Sequence, residues 1–317
     1  MVILYLRLAA VLDARRQFLN VMKKFFLIFA ATAASLSLHA QSAAFVNFNP
    51  DPVAAALAGT GIARTADAYA LENNVAATTL GGPQIAVAAG YGLWQPKAAN
   101  AQLLSAAGYY RVSEKFAIGL QFKDLLYPGY KVTGNTGGPR GTYIPAEMAV
   151  GLGLSYRIAD GFSAGLSFRY LGSSLAEDVK STAFGGDVAL KYEKDAFQAG
   201  LSVCNIGTPV NYGGDNYAQP GIVRAGAAYS VAGLTASAEV DYLFAGALMA
   251  GLGLEYTFAD IVSLRGGFHY GDAAKAIPMY ASLGLGLQFA GFHLDAAFLT
   301  ASKTLGNTFM VSLGYAF

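Results

Sequence analysis

From Met148 to Ile158 every second residue is large and apolar: Met148, Val150, Leu152, Leu154, Tyr156 and Ile158. The residues between them are Ala149, Gly151, Gly153, Ser155 and Arg157. After Ala159-Asp160-Gly161 the split returns, with Phe162, Ala164, Leu166, Phe168 and Tyr170 against Ser163, Gly165, Ser167 and Arg169. A period of two is that of a β-strand, whose side chains alternate between two faces. The alternation predicts strands at 84–93, 102–112, 115–124, 147–158, 162–171, 183–193 and 196–205. It continues at 222–231, 233–243, 248–258, 261–271, 279–289, 291–300 and 308–317. Strands of this length cross a bilayer when tilted, and an even number of them closes into an antiparallel barrel.

The connections support the same reading. Tight links at 112–115, 158–161, 193–196, 231–233, 258–260 and 289–291 alternate with mostly longer ones, the largest at 125–146 and 205–221. Outer-membrane barrels have short periplasmic turns and long outer loops, which places both mature ends in the periplasm. All ten prolines fall in the N-terminal segment, in long connections or at a strand's first residues, as the ladder requires. The final FMVSLGYAF alternates and stops on Phe317, like the closing strand of such barrels. The expected fold is therefore all-β: a 14-stranded antiparallel transmembrane β-barrel. Its apolar face meets outer-membrane lipid, and aromatics beside the tight turns (Tyr110, Phe116, Tyr156, Phe162, Tyr192, Phe197, Tyr229, Tyr256, Phe289, Phe292) form an interfacial girdle. A soluble sandwich would show a polar outward face, whereas here one face is apolar and the other small.

Composition agrees. The chain is 54% hydrophobic and 13% charged, yet past the N-terminal region no segment runs the roughly 20 apolar residues of a spanning helix. A net charge of +1 gives no basic patch for nucleic acid. The single cysteine, Cys204, excludes an internal disulfide and a multi-cysteine metal site.

Four regions are expected. Residues 22–40 read as a secretory signal peptide, with Lys23 and Lys24 before an apolar run and Ala40 before Gln41. Residues 1–21 fit neither signal nor anchor, and an upstream start codon assigned in error explains them. Residues 41–80 are an N-terminal hatch in the lumen, the alternative being a flexible tail, and 81–317 form the barrel. Within the hatch, short helices are expected near 53–58 and 65–71, with Gly59 and Gly61 bending the chain between them.

The lumen-facing phase is rich in glycine, including Gly90, Gly119, Gly153, Gly165, Gly200, Gly226, Gly253, Gly267 and Gly284. Missing side chains mark close approach by other groups, so something else occupies the interior. The same phase carries Lys123, Arg157, Arg169, Asp187, Lys191, Arg224, Glu239, Asp241, Glu255, Arg265, His269, His293 and Asp295. The expected signs are segregated, with arginines on the fourth and fifth strands and carboxylates on the ninth and tenth. Such groups form either a ligand path or ion pairs that avoid unpaired burial. No enzyme is expected. Ser282, His269 and Asp295 could be assembled as a triad on paper, but Ser282 lies mid-strand rather than on a sharp turn. No dinucleotide fingerprint or metal-ligand spacing occurs, and no cofactor is expected.

The run Ala58-Gly59-Thr60-Gly61-Ile62-Ala63, then Ala66-Asp67-Ala68-Tyr69-Ala70 and Asn73-Asn74-Val75-Ala76, resembles the N-terminal region of the PorV/PorQ family of FadL-type barrels. In that family's Asn-Pro-Ala box a proline stands where this chain has Val75. The resemblance implies a hatch containing Gly59, Gly61, Asp67, Asn73 and Asn74, and a role in type IX protein secretion. The implied partners are a secretion channel and exported cargo proteins, met at outer loops 127–143 and 211–217. Tyr127, Tyr130, Arg140, Tyr143, Tyr212, Asp215 and Tyr217 are the contact candidates, unless those loops merely cap the barrel. The alternative function is FadL-like passive uptake of hydrophobic molecules, with a fatty-acid-like ligand.

Overall fold

The computed structural model describes residues 43–134, 137–212, 214–272 and 276–317. The expected signal peptide and the segment before it lie outside the described residues. No helix among the described residues is long and apolar enough to cross a membrane.

The wall is built from β1 (Ile85–Trp94), β2 (Ala101–Arg111), β3 (Phe116–Leu126), β6 (Ala146–Ala159), β7 (Phe162–Ser174), β8 (Lys180–Lys194) and β9 (Phe197–Gly207). It continues through β12 (Ile222–Val231), β13 (Leu234–Leu243), β14 (Ala247–Phe258), β15 (Val262–Gly271), β16 (Tyr280–Phe289), β17 (Phe292–Thr300) and β18 (Thr308–Ala316). Each strand pairs antiparallel with its neighbours in the chain, and β18 pairs with β1 to close the barrel. Every strand expected from the alternation is present, and closure leaves no unpaired edge in lipid. Two loop hairpins lie outside the wall: β4 (Tyr130–Thr133) with β5 (Pro139–Tyr143), and β10 (Val210–Tyr212) with β11 (Asp215–Tyr217).

The two faces follow the residue pattern. On β6 and β7, Val150, Leu152, Tyr156, Leu166, Phe168 and Tyr170 are exposed, while Gly151, Gly153, Ser163, Gly165, Ser167 and Arg169 are buried. Similar apolar exposure around the wall (Leu120, Phe184, Leu252, Leu283, Leu313) makes a continuous belt suited to hydrocarbon. Tyr110, Tyr156, Tyr229, Tyr256, Phe289 and Phe292 are exposed beside the tight turns.

Tight turns of two to four residues close one rim. Ala232-Gly233 has φ of 50° and 80°, and Ala290-Gly291 has 51° and 84°. This double positive φ matches the twist of paired strands. The opposite rim carries the longer connections, with one exception. Between β13 and β14 lie only residues 244–246, so the alternation of short and long links is not strict. There Phe244 packs on Gly221 and its amide donates to the Gly221 carbonyl at 2.9 Å, so the neighbouring loop covers the gap.

Residues 43–80 fill the lumen. A 3-10 turn (Ala44–Asn47), a helix (Pro52–Ala56), a second helix (Ala70–Asn73) and a second 3-10 turn (Val75–Thr79) are joined by irregular chain. The first helix starts where Asp51 caps the Val53 amide at 2.8 Å with proline in the first turn. It ends at Ala58 and Gly59, both left-handed at φ of 59° and 87°. The helix expected across 65–71 begins only at Ala70. Before it, the Asp67 carboxylate accepts the Tyr69 amide at 2.9 Å, a local bond that competes with helix.

The first and last described residues lie at different rims. Phe317 exchanges backbone hydrogen bonds with Ile85 at the tight-turn rim. Ala43, by contrast, is buried with Phe45, Val46, Leu125, Leu171 and Val210 near the long-connection rim. The N-terminal stretch is apolar, and Phe48 stacks on Trp94 with centroids 4.6 Å apart, so the segment is buried inside the wall.

Candidate functional site

The hatch runs around the inner wall, and the luminal glycines mark its course. A Cβ on Gly284 of β16 would strike Ala56, and one on Gly267 of β15 would lie 2.7 Å from Ala58. On β14, Gly251 faces the Ala58 carbonyl and Gly253 faces Thr60. Gly226 of β12 and Gly200 of β9 face Ile62. Residues 56–62 thus pass strand after strand with backbone nearly touching backbone. The return stretch does the same. Tyr69 meets Gly90, Leu71 meets Gly119 and Gly153, and Val75 meets Gly153 and Gly165. Gly92, Gly151, Gly185, Gly286 and Gly314 face other wall or loop groups instead.

Irregular chain leaves backbone groups without a ladder, and buried groups must find partners. Here wall side chains supply them. Lys123 donates to the carbonyls of Val46 (2.8 Å) and Phe48 (3.0 Å) and to Glu72 Oε2 (3.0 Å). Lys191 donates to the carbonyls of Ala63 and Arg64 and to Gln198 Oε1. Each fully buried ammonium thus uses three donors. Arg111 donates to the carbonyls of Thr78, Leu80 and Gly81, Arg157 to Thr79, and Arg224 to Glu72 and Asn73. Glu239 accepts the Ile62 amide at 2.9 Å.

Inside the hatch, Asp51 is fully buried and ties three segments together. Besides capping the first helix, it accepts from Arg64 Nη1 (3.0 Å) and Asn73 Nδ2 (2.7 Å). Asn73 Oδ1 accepts from Asn49, and its side chain crowds Gly61. Asn74 caps the second 3-10 turn through the Ala76 amide and donates to the carbonyls of Ile62 and Leu190. Val75 is then the first residue of that turn, a place proline tolerates. Its branched side chain fills the space left by Gly153 and Gly165.

The remaining lumen residues are locally neutralised rather than segregated by sign. Arg169 pairs with Asp187 at 2.7 Å, Arg224 with Glu239 at 2.6 Å, and Arg265 with both Glu255 and Asp295. The triad on paper is not assembled. Ser282 donates to the Ala56 carbonyl, His269 Nδ1 meets the Ala58 carbonyl and stacks on Tyr280, and Asp295 holds Arg265.

At the tight-turn end of the lumen a 390 Å³ cavity borders the hatch, lined by Arg64, Asp67, Arg265 and Asp295 among others. Asp67 also bonds Arg64 at 3.0 Å. Burial, and then the charge of Asp51, pushes its carboxyl up to about 6, against the pull of Arg64 and the Tyr69 amide. A second cavity of 110 Å³ lies between the hatch and the long-connection end.

The loop candidates divide. Tyr127 donates to Glu147 at 2.7 Å, Tyr143 bonds Ser174 at 2.6 Å, and Tyr212 donates to Ser173 at 2.7 Å. Tyr127 and Tyr212 turn inward to Glu147 and Ser173, Tyr143 lies against Ser174 on the other face of β7, and all three rings are half-buried as they fasten the loops. Tyr127 and Tyr212 also pack on the apolar cluster beneath the loops, which the aromatic's own hydrophobicity explains. Tyr217 is half-buried beside Tyr212. Tyr130, Arg140 and Asp215 are exposed on the two hairpins.

The model of the type IX secretion system protein PorV matches residues 33–240, spanning the hatch and most of the wall through β13. The chain belongs to the PorV family. Its family and fold are those of a bacterial outer-membrane β-barrel taking part in type IX secretion. Among solved structures it is similar to the Ralstonia pickettii toluene transporter TbuX, with a TM-score of 0.61 and 15% identity over 84% of this chain and 98% of that one. The CymD monoaromatic hydrocarbon channel gives 0.62 and 13%, covering 84% and 97%. A Pseudomonas aeruginosa FadL homologue gives 0.58 and 13%, covering 88% and 100%. At these identities the likeness is one of fold. No curated protein sequence matches.

Several anchors were not singled out from the sequence. Asp51-Pro52 carried a helix-start signal that could have marked Asp51. Lys123, Lys191 and Arg111 gave none beyond lumen or rim position, because their partners are backbone carbonyls about 75, 128 and 31 residues away.

Proposed function

We propose that this PorV-family barrel serves type IX secretion from its long-connection rim, contacting exported cargo or the secretion channel there rather than passing protein through its lumen. The observation that carries the reading is the hatch, a segment bonded to the wall through Lys123, Lys191, Arg111 and Glu239 and seated on backbone-to-glycine contacts. A lumen filled in this way leaves the rim as the contact surface. On this reading the tight turns and Phe317 face the periplasm and the hairpins face outward. Tyr130, Arg140 and Asp215 are then the contact residues, standing exposed above a base fastened by Tyr127, Tyr143 and Tyr212.

Mild crosslinking in native outer membrane, followed by isolation of the barrel, tests this. A large channel or exported cargo should come with it, and substituting Tyr130, Arg140 and Asp215 together should reduce that recovery while the barrel stays folded. Recovery of the barrel alone, carrying an apolar ligand, would favour the second reading. That reading, uptake of hydrophobic molecules, rests on the likeness of fold to TbuX and CymD.

A further inference from the structure

We infer that the 390 Å³ cavity at the tight-turn end of the lumen is a binding site for a small aliphatic diamine in its doubly protonated form. Two arginines line it, and each is shared by two carboxylates. On the hatch, Arg64 Nη1 meets Asp51 and Asp67, both at 3.0 Å. On the wall, Arg265 pairs with Glu255 of β14 through Nε and with Asp295 of β17 through Nη1 at 2.6 Å. Four carboxylates against two guanidiniums leave two negative charges on the lining, one in each cluster. His293 also lines the space, and even a charged imidazole there leaves the balance negative. A second observation points to an occupant. Ser312, on the lumen face of β18 beside Asp295, is 5% exposed, and its hydroxyl bonds no described residue. Buried polar groups nearly always find a partner, and this one lines the cavity.

The lining sets the class of ligand. No group of three or more metal-ligating side chains occurs among the described residues, so the carboxylates do not converge on one ion. The surplus is split instead between hatch and wall. The Asp67 carboxyl registers it from both sides, pushed up to about 6 by burial, then by the charge of Asp51, and last by that of Asp295. Val53, Val87, Leu287 and Tyr315 give the same space apolar wall. Its volume is more than twice that of a cavity of about 150 Å³ that holds benzene, so a whole small molecule fits. Two ammonium ends on a short methylene chain match this pattern, with a charge-assisted bond at each cluster and apolar contact along the stem. The bound diamine ties the hatch to β14 and β17, independently of any contact made at the opposite rim.

Full-length barrel in detergent at pH 7.5 is titrated calorimetrically with hexamethylenediamine dihydrochloride at constant ionic strength. Hexylamine hydrochloride, hexanediol and sodium chloride serve as controls. Saturable binding of the diamine is expected, at least about tenfold tighter than that of the monoamine, which gives up one charge-assisted bond. Hexanediol and sodium chloride should give no saturable heat. Asp67→Asn removes the surplus charge on the hatch and should raise the diamine Kd at least about tenfold. Asp295→Asn should do the same from the wall, and either variant suffices if the other does not fold. Each leaves its arginine one carboxylate, Asp51 for Arg64 and Glu255 for Arg265. No saturable heat from the diamine, equal affinity for diamine and monoamine, or diamine binding unchanged in the variants overturns the proposal.

Discussion

Residues 43–80 and the two loop hairpins are both appendages of the same wall, and both lack its continuous ladder. The hatch answers with long-range bonds: its carbonyls meet Lys123, Lys191, Arg111, Arg157 and Arg224, and its backbone lies against glycine. The hairpins bond mainly within themselves, register against register, and are fastened to the wall by a few side chains, among them Tyr127, Tyr143 and Tyr212 and the Ser181 hydroxyl that accepts the Asn211 amide. Gly137, Gly138, Gly141 and Gly214, in or beside the hairpins, have nothing within 4 Å of where a Cβ would stand. One appendage is bonded along its length, and the other stands largely open.

The largest break in that contrast should come from Asp51→Ala, which leaves Arg64 and Asn73 without their shared acceptor. Removing one partner of a buried ion pair costs about 3–5 kcal/mol, so limited proteolysis should cut within 43–80 while the barrel remains heat-resistant. A protected hatch in this variant would show that Asp51 is not its hub. Next, Gly267→Leu should destabilise hatch seating by about 1–3 kcal/mol through overpacking against Ala58. The matched change Gly138→Leu, in open space, should stay within about 0.5 kcal/mol in denaturant titration.

A smaller effect concerns pH. Asp67 is raised from an ordinary 3.8 to about 6 in the folded state. Its contribution is therefore fully present below 3.8 and is lost as pH rises through 6. Because a third of the side chain is exposed, screening leaves about 1 kcal/mol or less. The hatch should exchange amide hydrogen more slowly at pH 5 than at pH 7.5 after correction for intrinsic rates, and Asp67→Asn should abolish the difference. The smallest effect is expected for Arg140→Ala. Its pair with Glu177 is exposed and 3.9 Å long, worth about 0–1 kcal/mol, so thermal stability should hardly move.

The wall was legible because lipid on one side and hatch on the other force a strict period of two. Even the glycines at 200, 226 and 267 announced that something lay close inside. The hatch itself was legible as a segment but not as a path. Helix at 65–71 was expected from alanine content, whereas the Asp67 side chain bonds its own backbone there. The loops misled in one respect: Tyr127 and Tyr212 looked like contact residues, but an aromatic next to a half-covered apolar cluster turns towards it. Sequence pattern reports which face a strand residue takes and is silent on which way a loop ring folds.

The burial of Phe45 and Val46 near the far rim carries a consequence for how the molecule is made. These residues lie well inside a wall whose seam, β1 against β18, joins the earliest strand to the last. The segment nearest the start of the described chain therefore packs inside a wall that is completed by its last strand, so the two ends of the sequence are joined in one enclosed structure.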